Sequence, residues 1–317
     1  MVTVFLGAGF SVVGGVPLAS CLFDRKPEVD RVTRRRLVER VHRGWNAWTE
    51  TGGGQPEEYL AYLSRRGSTS WAEAVWYVGL SVALATARVE HVGAGLTVTR
   101  HNVNRTTGIP CHEAFWSLIF RRTWQVAVVT TNCDILAERG LRHEPRPRVP
   151  RPGFRYGFGT ERLAGGGYPS YAHIQAIRIA GHVPLLKLHG SVSWSLREGQ
   201  RVRYHDCRPA VRGDPAIVAP ATTKEVPPAL EPIWAAARTA LSSSSLWLVV
   251  GYSLPHYDLL VRERLFDASQ HGPGVHVFDP DETAAQRWKA CTARGLVYHH
   301  PGLPEGLQAL GSLMDGA

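Results

Sequence analysis

The sequence predicts an α/β protein with a parallel sheet, helices on both faces of that sheet and a helical insertion after the first strand. Short apolar runs rich in β-branched residues alternate with longer stretches of helical periodicity. The apolar runs are continuous, which is typical of strands buried on both faces. Small and polar residues follow the runs directly, where open parallel sheets bind ligands. The predicted architecture is therefore Rossmann-like.

The predicted strands are short and are spread along the whole chain. The first is Val2–Leu6, and a glycine-containing turn follows it. The others are Gln125–Thr130, Pro184–Leu188, Ile217–Ala219, Leu246–Val250 and Val275–Phe278, with a last strand at Leu296–His299.

Far more residues separate the first two strands than a single crossover helix needs. Helical character over residues 28–48, 56–65 and 70–92 predicts a helical insertion, bounded at 28–122, within one domain that spans 1–317. Four of its tryptophans are expected to pack it together, with a ligand-binding face as the alternative: Trp45, Trp48, Trp71 and Trp76.

Two further segments have a predicted structure. The stretch 142–168 is rich in proline, arginine and glycine and predicts a long ordered loop, a kind of segment that often has a function. Residues 303–314 predict a final helix or a contact to another subunit.

Composition excludes several classes of protein. The 317 residues are 44% hydrophobic and 20% charged, which is incompatible with a disordered chain. The longest apolar run, near Leu246–Leu254, is far short of the roughly 20 residues that span a bilayer. The five cysteines form no CxxC pair, which excludes a structural zinc ribbon and disfavours a disulfide framework.

The N-terminus resembles a lipoprotein cleavage site without the features of a signal peptide. Leu18-Ala19-Ser20-Cys21 matches such a site, but the positively charged segment that a signal peptide needs is missing. Glycines also interrupt the apolar stretch. We therefore expect a cytoplasmic protein with no membrane association.

The net charge of +9 does not by itself indicate a nucleic-acid ligand. Only four of the 36 basic residues are lysines, and the arginines are dispersed along the chain. This bias also fits a GC-rich coding sequence. Since no nucleic-acid-binding motif is present, nucleic acid is not expected as a direct ligand.

Five predicted strands end in small, polar or ionisable residues. Because the carboxyl ends of parallel strands share one edge of the sheet, these residues are expected to meet in one crevice. The segments are Gly7-Ala8-Gly9-Phe10-Ser11, Thr131-Asn132-Cys133-Asp134, Lys187-Leu188-His189-Gly190-Ser191, Gly251-Tyr252-Ser253-Leu254-Pro255 and Asp279-Pro280-Asp281.

The glycines after the first strand have two interpretations. Gly7 and Gly9 could let the backbone approach a pyrophosphate at a helix N-terminus, or they could form a plain tight turn. A standard dinucleotide fingerprint needs a third glycine at position 12, which is Val12 here.

Each of the other polar residues also has two interpretations. Asn132 and Asp134 could hold ribose hydroxyls or a water molecule, or form an Asx turn that caps a helix. His189 could accept a proton from a ribose hydroxyl, or be a hydrogen-bonded core histidine. Gly251 and Ser253 could contact phosphate or ribose, or form a strand-to-helix turn that Pro255 ends.

Taken together, the motifs resemble the sirtuin superfamily. Gly-Ala-Gly-Phe-Ser, Thr-Thr-Asn-Cys-Asp, Leu-Lys-Leu-His-Gly-Ser and Gly-Tyr-Ser-Leu-Pro-His-Tyr-Asp occur in the order of that family, from Val2 to about Asp281. The segments 186–194 and 251–258 are more typical of the sirtuin-like domains of bacterial NAD-depleting antiphage proteins than of protein deacylases.

Two departures from the deacylase pattern put deacylation in doubt. Deacylases carry a four-cysteine zinc module between the His-Gly and Gly-x-Ser blocks, and this interval contains only Cys207. Deacylases also usually continue Gly-Ile-Pro with Asp-Phe-Arg, whereas Gly15-Val16-Pro17 is followed by Leu18-Ala19-Ser20.

The resemblance implies a role for each matching residue. His189 would be the general base, and Asn132 and Asp134 would contact the nicotinamide ribose and the attacking water. The remaining residues would bind NAD: Gly7, Ala8, Gly9 and Ser11 at the pyrophosphate, Gly251 and Ser253 on the adenosine side, and Asp279 at the adenine ribose, where the family often has asparagine.

The resulting hypothesis is a single sirtuin-like catalytic domain that needs no metal. It would be an NAD glycohydrolase that releases nicotinamide and ADP-ribose, or a cyclic ADP-ribose, in antiphage defence. The alternatives are transfer of ADP-ribose to a small molecule or protein, and a non-catalytic subunit that binds NAD or ADP-ribose. An activating protein subunit and a homo-oligomer also stay open as partners.

Overall fold

The described part of the chain forms two sheets with helices around them. A computed structural model describes residues 1–24, 26–27, 29, 32–66, 69–93, 108–123, 125–142, 153–156, 182–197, 201–204, 215–222, 224–266, 274–292 and 296–316. The strands are β1 (Val2–Leu6), β2 (Val126–Thr130), β3 (Gly153–Arg155), β4 (His182–Lys187), β5 (Gly190–Arg197), β6 (Arg201–Tyr204), β7 (Pro215–Ile217), β8 (Leu246–Val250), β9 (Val275–Phe278) and β10 (Val297–His300).

Ten α-helices lie within the described residues. They are α1 (Ala8–Val12), α2 (Val32–Glu50), α3 (Pro56–Arg65), α4 (Thr69–Gly93), α5 (Gly108–Arg122), α6 (Leu136–Arg142), α7 (Glu231–Ser242), α8 (Leu259–Leu265), α9 (Thr283–Cys291) and α10 (Leu307–Gly316).

The large sheet has seven strands in the order β10-β9-β8-β1-β2-β4-β3, and every pairing in it is parallel. Strands β1, β2 and β8 are in register, so Leu6 lies between Thr130 and Val250. In this order, β2 lies on one side of β1, whereas β9 follows β8 on the other side of the sheet, so the direction of strand addition reverses between β1 and β8. Because crossovers between parallel strands are right-handed, the two halves place their helices on opposite faces and open a crevice between β1 and β8. The predicted α/β architecture is confirmed.

Most predicted strands agree with the structure to within two residues, and one prediction was wrong. Ile217–Ala219 was expected in the parallel sheet, but β7 lies in a separate antiparallel sheet of order β6-β5-β7. Gly190 pairs with Ile217 across it. A three-residue apolar run fits either sheet, and its long-range partner decides the outcome.

The insertion after β1 packs into a second hydrophobic core, which it shares with Val192 and Ile217 of the small sheet. Phe23 stacks on Trp45 and Tyr77, with ring centroids 4.8 and 5.2 Å apart. Four tryptophans of the insertion pack against this cluster, as predicted: Trp45, Trp48, Trp71 and Trp76. Helix α5 differs from α2–α4, because its buried side chains belong to the core around the large sheet.

Two further sequence predictions concern the segments 142–168 and 303–314. The first was expected to be a long ordered loop, but its described part contains strand β3, and the rest of residues 143–168, apart from Tyr156, lies outside the described ranges. The predicted final helix is present as α10. None of the helices within the described residues has the length and apolar character needed to cross a bilayer.

Candidate active site

A cleft of about 530 Å³ opens at the carboxyl ends of the parallel strands. Its volume lies within the range of about 300–1,000 Å³ that is usual for small-molecule sites. Nearly all of the predicted site residues line it: Ala8, Gly9, Ser11, Asn132, Asp134, His189, Gly251, Ser253 and Asp279. Gly7 lies one residue before this lining, at the end of β1.

The glycines of the first turn allow two backbone segments to cross. The N–H of Gly7 donates to the Val250 carbonyl at 3.0 Å, and the N–H of Gly9 donates to the Gly251 carbonyl at 2.8 Å. A Cβ on Gly9 would lie 2.7 Å from the Gly251 Cα. These two amides therefore join β1 to β8, and Ala8 and Gly9 present their surface to the cleft beside this junction.

Asn132 holds the end of β2 against the first turn. Its Nδ2 donates to the Gly7 carbonyl at 2.6 Å and to Ser11 Oγ at 2.9 Å. Its backbone N–H donates to Thr130 Oγ1 at 3.0 Å. Since Ser11 Oγ accepts from the amide, the Ser11 hydroxyl proton stays available for a ligand oxygen.

Asp134 forms the turn that the sequence left as an alternative to a catalytic role. Its Oδ1 accepts from the Leu136 N–H at 2.8 Å, where α6 begins. The buried carboxylate also lies on the cleft surface. The side chain therefore has a structural role, and its role towards a substrate stays a prediction.

His189 lies between β4 and β5, is almost fully buried and lines the cleft. Burial lowers its pKa to about 4, and the charge of Lys224 acts in the same direction. The charge of Asp258 and a hydrogen bond to the backbone of Thr131 oppose this shift. His189 Nε2 has no hydrogen-bond partner within the described structure. At neutral pH the ring is thus a neutral imidazole whose Nε2 can accept a proton.

The turns after β8 and β9 form the other wall of the cleft. Ser253 is held through its carbonyl, which accepts from Arg287 Nε at 2.6 Å. Asp279 Oδ1 accepts from the Asp281 N–H at 2.9 Å. Burial raises the pKa of the Asp279 carboxyl, which favours its hydrogen bonding to a hydroxyl group.

The sequence interpretation did not include a buried ion pair in the cleft. Lys224 Nζ lies 2.8 Å from Asp258 Oδ1, and both side chains are about 5% exposed. Tyr252 donates to Asp258 Oδ2 at 2.6 Å. Asp258 is the last residue of the Gly-Tyr-Ser-Leu-Pro-His-Tyr-Asp block, so the sequence contained a motif that could have identified it as a site residue. Lys224 follows two threonines and belongs to no motif.

The helical insertion reaches the cleft. Val78 and Val82 of α4 line it, together with Val16 and Leu22 from the segment after α1. These side chains form an apolar wall of the cleft, which the polar strand ends also line. Among the described residues, no cluster of three or more His, Cys, Asp and Glu side chains could hold a metal ion.

No protein-family model matches the chain, and no curated protein matches it in sequence. Solved sirtuin structures align with nearly all of it. A Sir2 homologue in complex with NAD is 14% identical, with a TM-score of 0.48, and the alignment covers 99% of this chain and 88% of that one.

Two further solved structures give similar values. A triple mutant of Sir2 homologues in complex with 2′-O-acetyl ADP-ribose is 16% identical, with a TM-score of 0.45 and coverage of 99% and 90%. A complex of Sir2 with a p53 peptide and NAD⁺ is 14% identical, with a TM-score of 0.41 and coverage of 100% and 92%. At such values the similarity concerns the fold and carries no information on activity or substrate.

Proposed function

We propose that the cleft binds NAD and cleaves the bond between nicotinamide and ribose. The products would be nicotinamide and ADP-ribose, or a cyclic ADP-ribose, and no metal takes part. The resemblance of the four strand-end motifs to those of sirtuins supports NAD as the substrate. The resemblance of segments 186–194 and 251–258 to bacterial antiphage domains supports a role in phage defence in the cytoplasm.

The observation that carries the proposal is the state of His189. A buried neutral imidazole with an unpaired Nε2 is costly to maintain unless a ligand uses it. It lies in the same cleft as Asn132 and Ser11, whose polar atoms are held in fixed positions. A fixed proton acceptor beside fixed hydrogen-bonding groups is what attack by a hydroxyl or water on a ribose carbon requires.

The chemistry needs little more than placement. The C1′–N bond breaks and its electron pair goes to the cationic pyridinium, so nicotinamide leaves neutral. A water oxygen then bonds to C1′, and its proton passes to His189 Nε2, directly or through a ribose hydroxyl. The Oδ1 of Asn132, which accepts no hydrogen bond from another described residue, would orient the water or a ribose hydroxyl, and Asp134 would support this side.

The remaining contacts would hold the rest of the dinucleotide. Ser11 would donate its hydroxyl proton to a phosphate oxygen, next to the backbone of the Gly7-Ala8-Gly9 turn. Gly251 and Ser253 would contact the adenosine-side phosphate and ribose, and the Asp279 carboxyl would bind a hydroxyl of the adenine ribose.

Transfer of ADP-ribose to another acceptor is the second candidate. The apolar wall formed by Val78, Val82 and Leu22 offers a surface for an acceptor other than water. The reaction before nicotinamide leaves is the same, so only the second product distinguishes the two candidates.

Product analysis of the purified chain with NAD tests both. We expect nicotinamide release with free or cyclic ADP-ribose by mass spectrometry, and loss of release in His189→Ala. An ADP-ribose adduct would favour transfer. Binding of NAD without any nicotinamide over hours would indicate a non-catalytic subunit, or one that waits for an activating protein or for self-association.

A further inference from the structure

Two buried charges line the same cleft as His189 and have no role in the steps above. Lys224 comes from the segment between β7 and α7, and Asp258 directly precedes α8. Their 2.8 Å ion pair lines the same cleft as His189. Folding brings the two side chains together across 34 positions of sequence.

The pair is held by a network that fixes its geometry. Asp258 Oδ2 accepts from the Tyr252 hydroxyl, and the Tyr252 ring stacks on Phe5 of the central strand with centroids 4.9 Å apart. The neighbouring Tyr257 is hydrogen-bonded to Glu57 of α3. The carboxylate is therefore tied to the central strand and lies next to a contact with the helical insertion.

Stability does not explain such a pair. The desolvation of two buried charges usually offsets their attraction, so a hydrophobic pair of similar volume would be equally stable or more so. Buried ionisable groups in a cleft are more typical of functional sites. The unpaired Nε2 of His189 in the same cleft is the group on which they can act.

Among the described residues, few groups act on the His189 ring. The ammonium of Lys224 and the carboxylate of Asp258 are the charges that act on the ring, and the Thr131 backbone is hydrogen-bonded to it. The indole of Trp234 in α7 lies 6.3 Å away between ring centroids. The other titratable groups on this part of the cleft are Cys133, Asp134, Tyr252 and Tyr257.

We propose that the Lys224–Asp258 ion pair positions His189 as a proton acceptor, with Lys224 keeping the resting ring neutral and Asp258 stabilising the imidazolium that forms during the reaction. This inference rests on the proposed function. In the step concerned, the water O–H bond breaks as its oxygen bonds to C1′, and the proton moves to Nε2. The ring becomes cationic while the carboxylate offsets that charge, and the proton then leaves to solvent.

The two partners therefore have opposite effects on the protonation of His189. Without the ammonium in Lys224→Met, the imidazolium is favoured and the pKa of His189 rises. Without the carboxylate in Asp258→Asn, a near-isosteric change, the imidazolium loses its counter-charge and the pKa falls. The Lys224→Arg variant keeps the charge and should restore most of the wild-type behaviour.

The test is NMR titration of histidine-labelled protein together with the pH profile of nicotinamide release. We expect the His189 titration and the acid limb of kcat to move up by about one pH unit in Lys224→Met and down in Asp258→Asn. The kcat of Asp258→Asn should also fall about tenfold or more. Lys289→Met, at an exposed position in α9, should change neither readout.

The NMR titration keeps this inference separate from the proposed function. A chain that releases no nicotinamide would count against NAD cleavage by the chain alone, while opposite shifts of the His189 titration would still support the effect of the pair on the ring. Unchanged His189 titration in Asp258→Asn, in protein whose circular dichroism matches wild type, overturns the inference. If Lys224→Met does not fold, Asp258→Asn alone decides.

Discussion

At the scale of single residues, the site depends on glycines that allow the loops after β1 and β8 to touch. Gly251 has φ +61°, in the left-handed region that favours glycine. A Cβ there would lie 2.6 Å from the Gly9 Cα and closer still to the Phe10 amide nitrogen. The crossing fixes both the turn that carries Ser11 and the turn that carries Ser253.

Replacing Gly251 by alanine should therefore lower the unfolding free energy by far more than the same substitution at a glycine that has a positive φ but no close neighbours. Gly52 is a matched control, because its φ is +91° and no atom lies within 4 Å of the place that a Cβ would occupy. We expect Gly52→Ala to lose about 1–2 kcal/mol of unfolding free energy and Gly251→Ala to lose about 3 kcal/mol or more. Urea unfolding measures both, and equal losses would contradict the close crossing.

At the scale of elements, strand β4 is anchored to α6 by a second buried ion pair. Lys187 Nζ lies 3.0 Å from Glu138 Oε1, and both side chains are essentially unexposed. The Tyr156 hydroxyl also donates to Glu138 Oε1, at 3.1 Å. Lys187 donates in addition to the carbonyl of Asp134, so the pair supports the turn that follows β2.

Removal of one partner of this pair should be strongly destabilising. Lys187→Met leaves a buried carboxylate without its partner, which costs about 3–5 kcal/mol, whereas the double variant Lys187→Met/Glu138→Leu should recover most of the loss. The exposed pair Arg122–Asp315 is the control, since Arg122→Met should cost about 1 kcal/mol or less. Denaturant unfolding measures these losses. If the double variant loses as much stability as the Lys187→Met and Glu138→Leu single variants added together, the two side chains are not energetically coupled.

The sheet edge formed by β9 and β10 should make stability depend on pH. His276 Nδ1 and His300 Nε2 are 2.9 Å apart, which requires at least one neutral ring. Burial, and then the charge of His300, lower the pKa of His276 to about 4. Because the unfolded histidine titrates at about 6.5, this contribution to stability is complete above about pH 6.5 and is lost as the pH falls towards 4.

We therefore expect the melting temperature to fall between about pH 7 and pH 5, and to fall less in His276→Gln. The exposed His256 provides the control, since His256→Gln should keep the wild-type slope. Thermal unfolding followed by circular dichroism at several pH values measures this. Identical slopes in wild type and His276→Gln would show that the histidine pair does not control this edge.

At the scale of the whole molecule, the core of the large sheet and the second core, which the insertion shares with the small sheet, meet around one cleft. The carboxyl ends of the strands supply its polar wall, and α4 with the segment after α1 supplies its apolar wall. A ligand that fills this cleft contacts both cores and binds only the folded chain.

NAD should consequently stabilise the whole molecule. Free ligand at about 100 times its dissociation constant adds about 2.7 kcal/mol to the unfolding free energy. We expect a concentration-dependent rise in melting temperature in differential scanning calorimetry with NAD, and a smaller one with nicotinamide alone. No rise at millimolar NAD would refute a dinucleotide site.

The sequence was sufficient for the features that depend on local pattern. Strands β1, β8 and β9 have the predicted bounds, because continuous β-branched runs flanked by turn residues have few alternatives. The gathering of Asn132 and His189 in one cleft followed from the parallel sheet alone. The antiparallel sheet of β5–β7 was missed, because its strands pair with distant partners and lack a distinctive pattern.

The burial of Lys224 in the cleft could not be predicted either, because it also depends on a partner that is distant in sequence. A single lysine in a polar loop is normally solvated, and only the folded chain shows that it is buried against Asp258. The close contact of Gly9 with Gly251 is likewise a tertiary feature, which local glycine patterns suggest only as a turn.

The most direct test of the central claim is the rate of nicotinamide release from NAD by wild type, Asn132→Ala, His189→Ala and Asn46→Ala. Asn46 is exposed on α2, far along the chain from the strand ends, and serves as the matched asparagine control. We predict release by wild type and Asn46→Ala, and a loss of about a hundredfold or more in the other two variants. Release that persists in His189→Ala would contradict cleavage at this cleft.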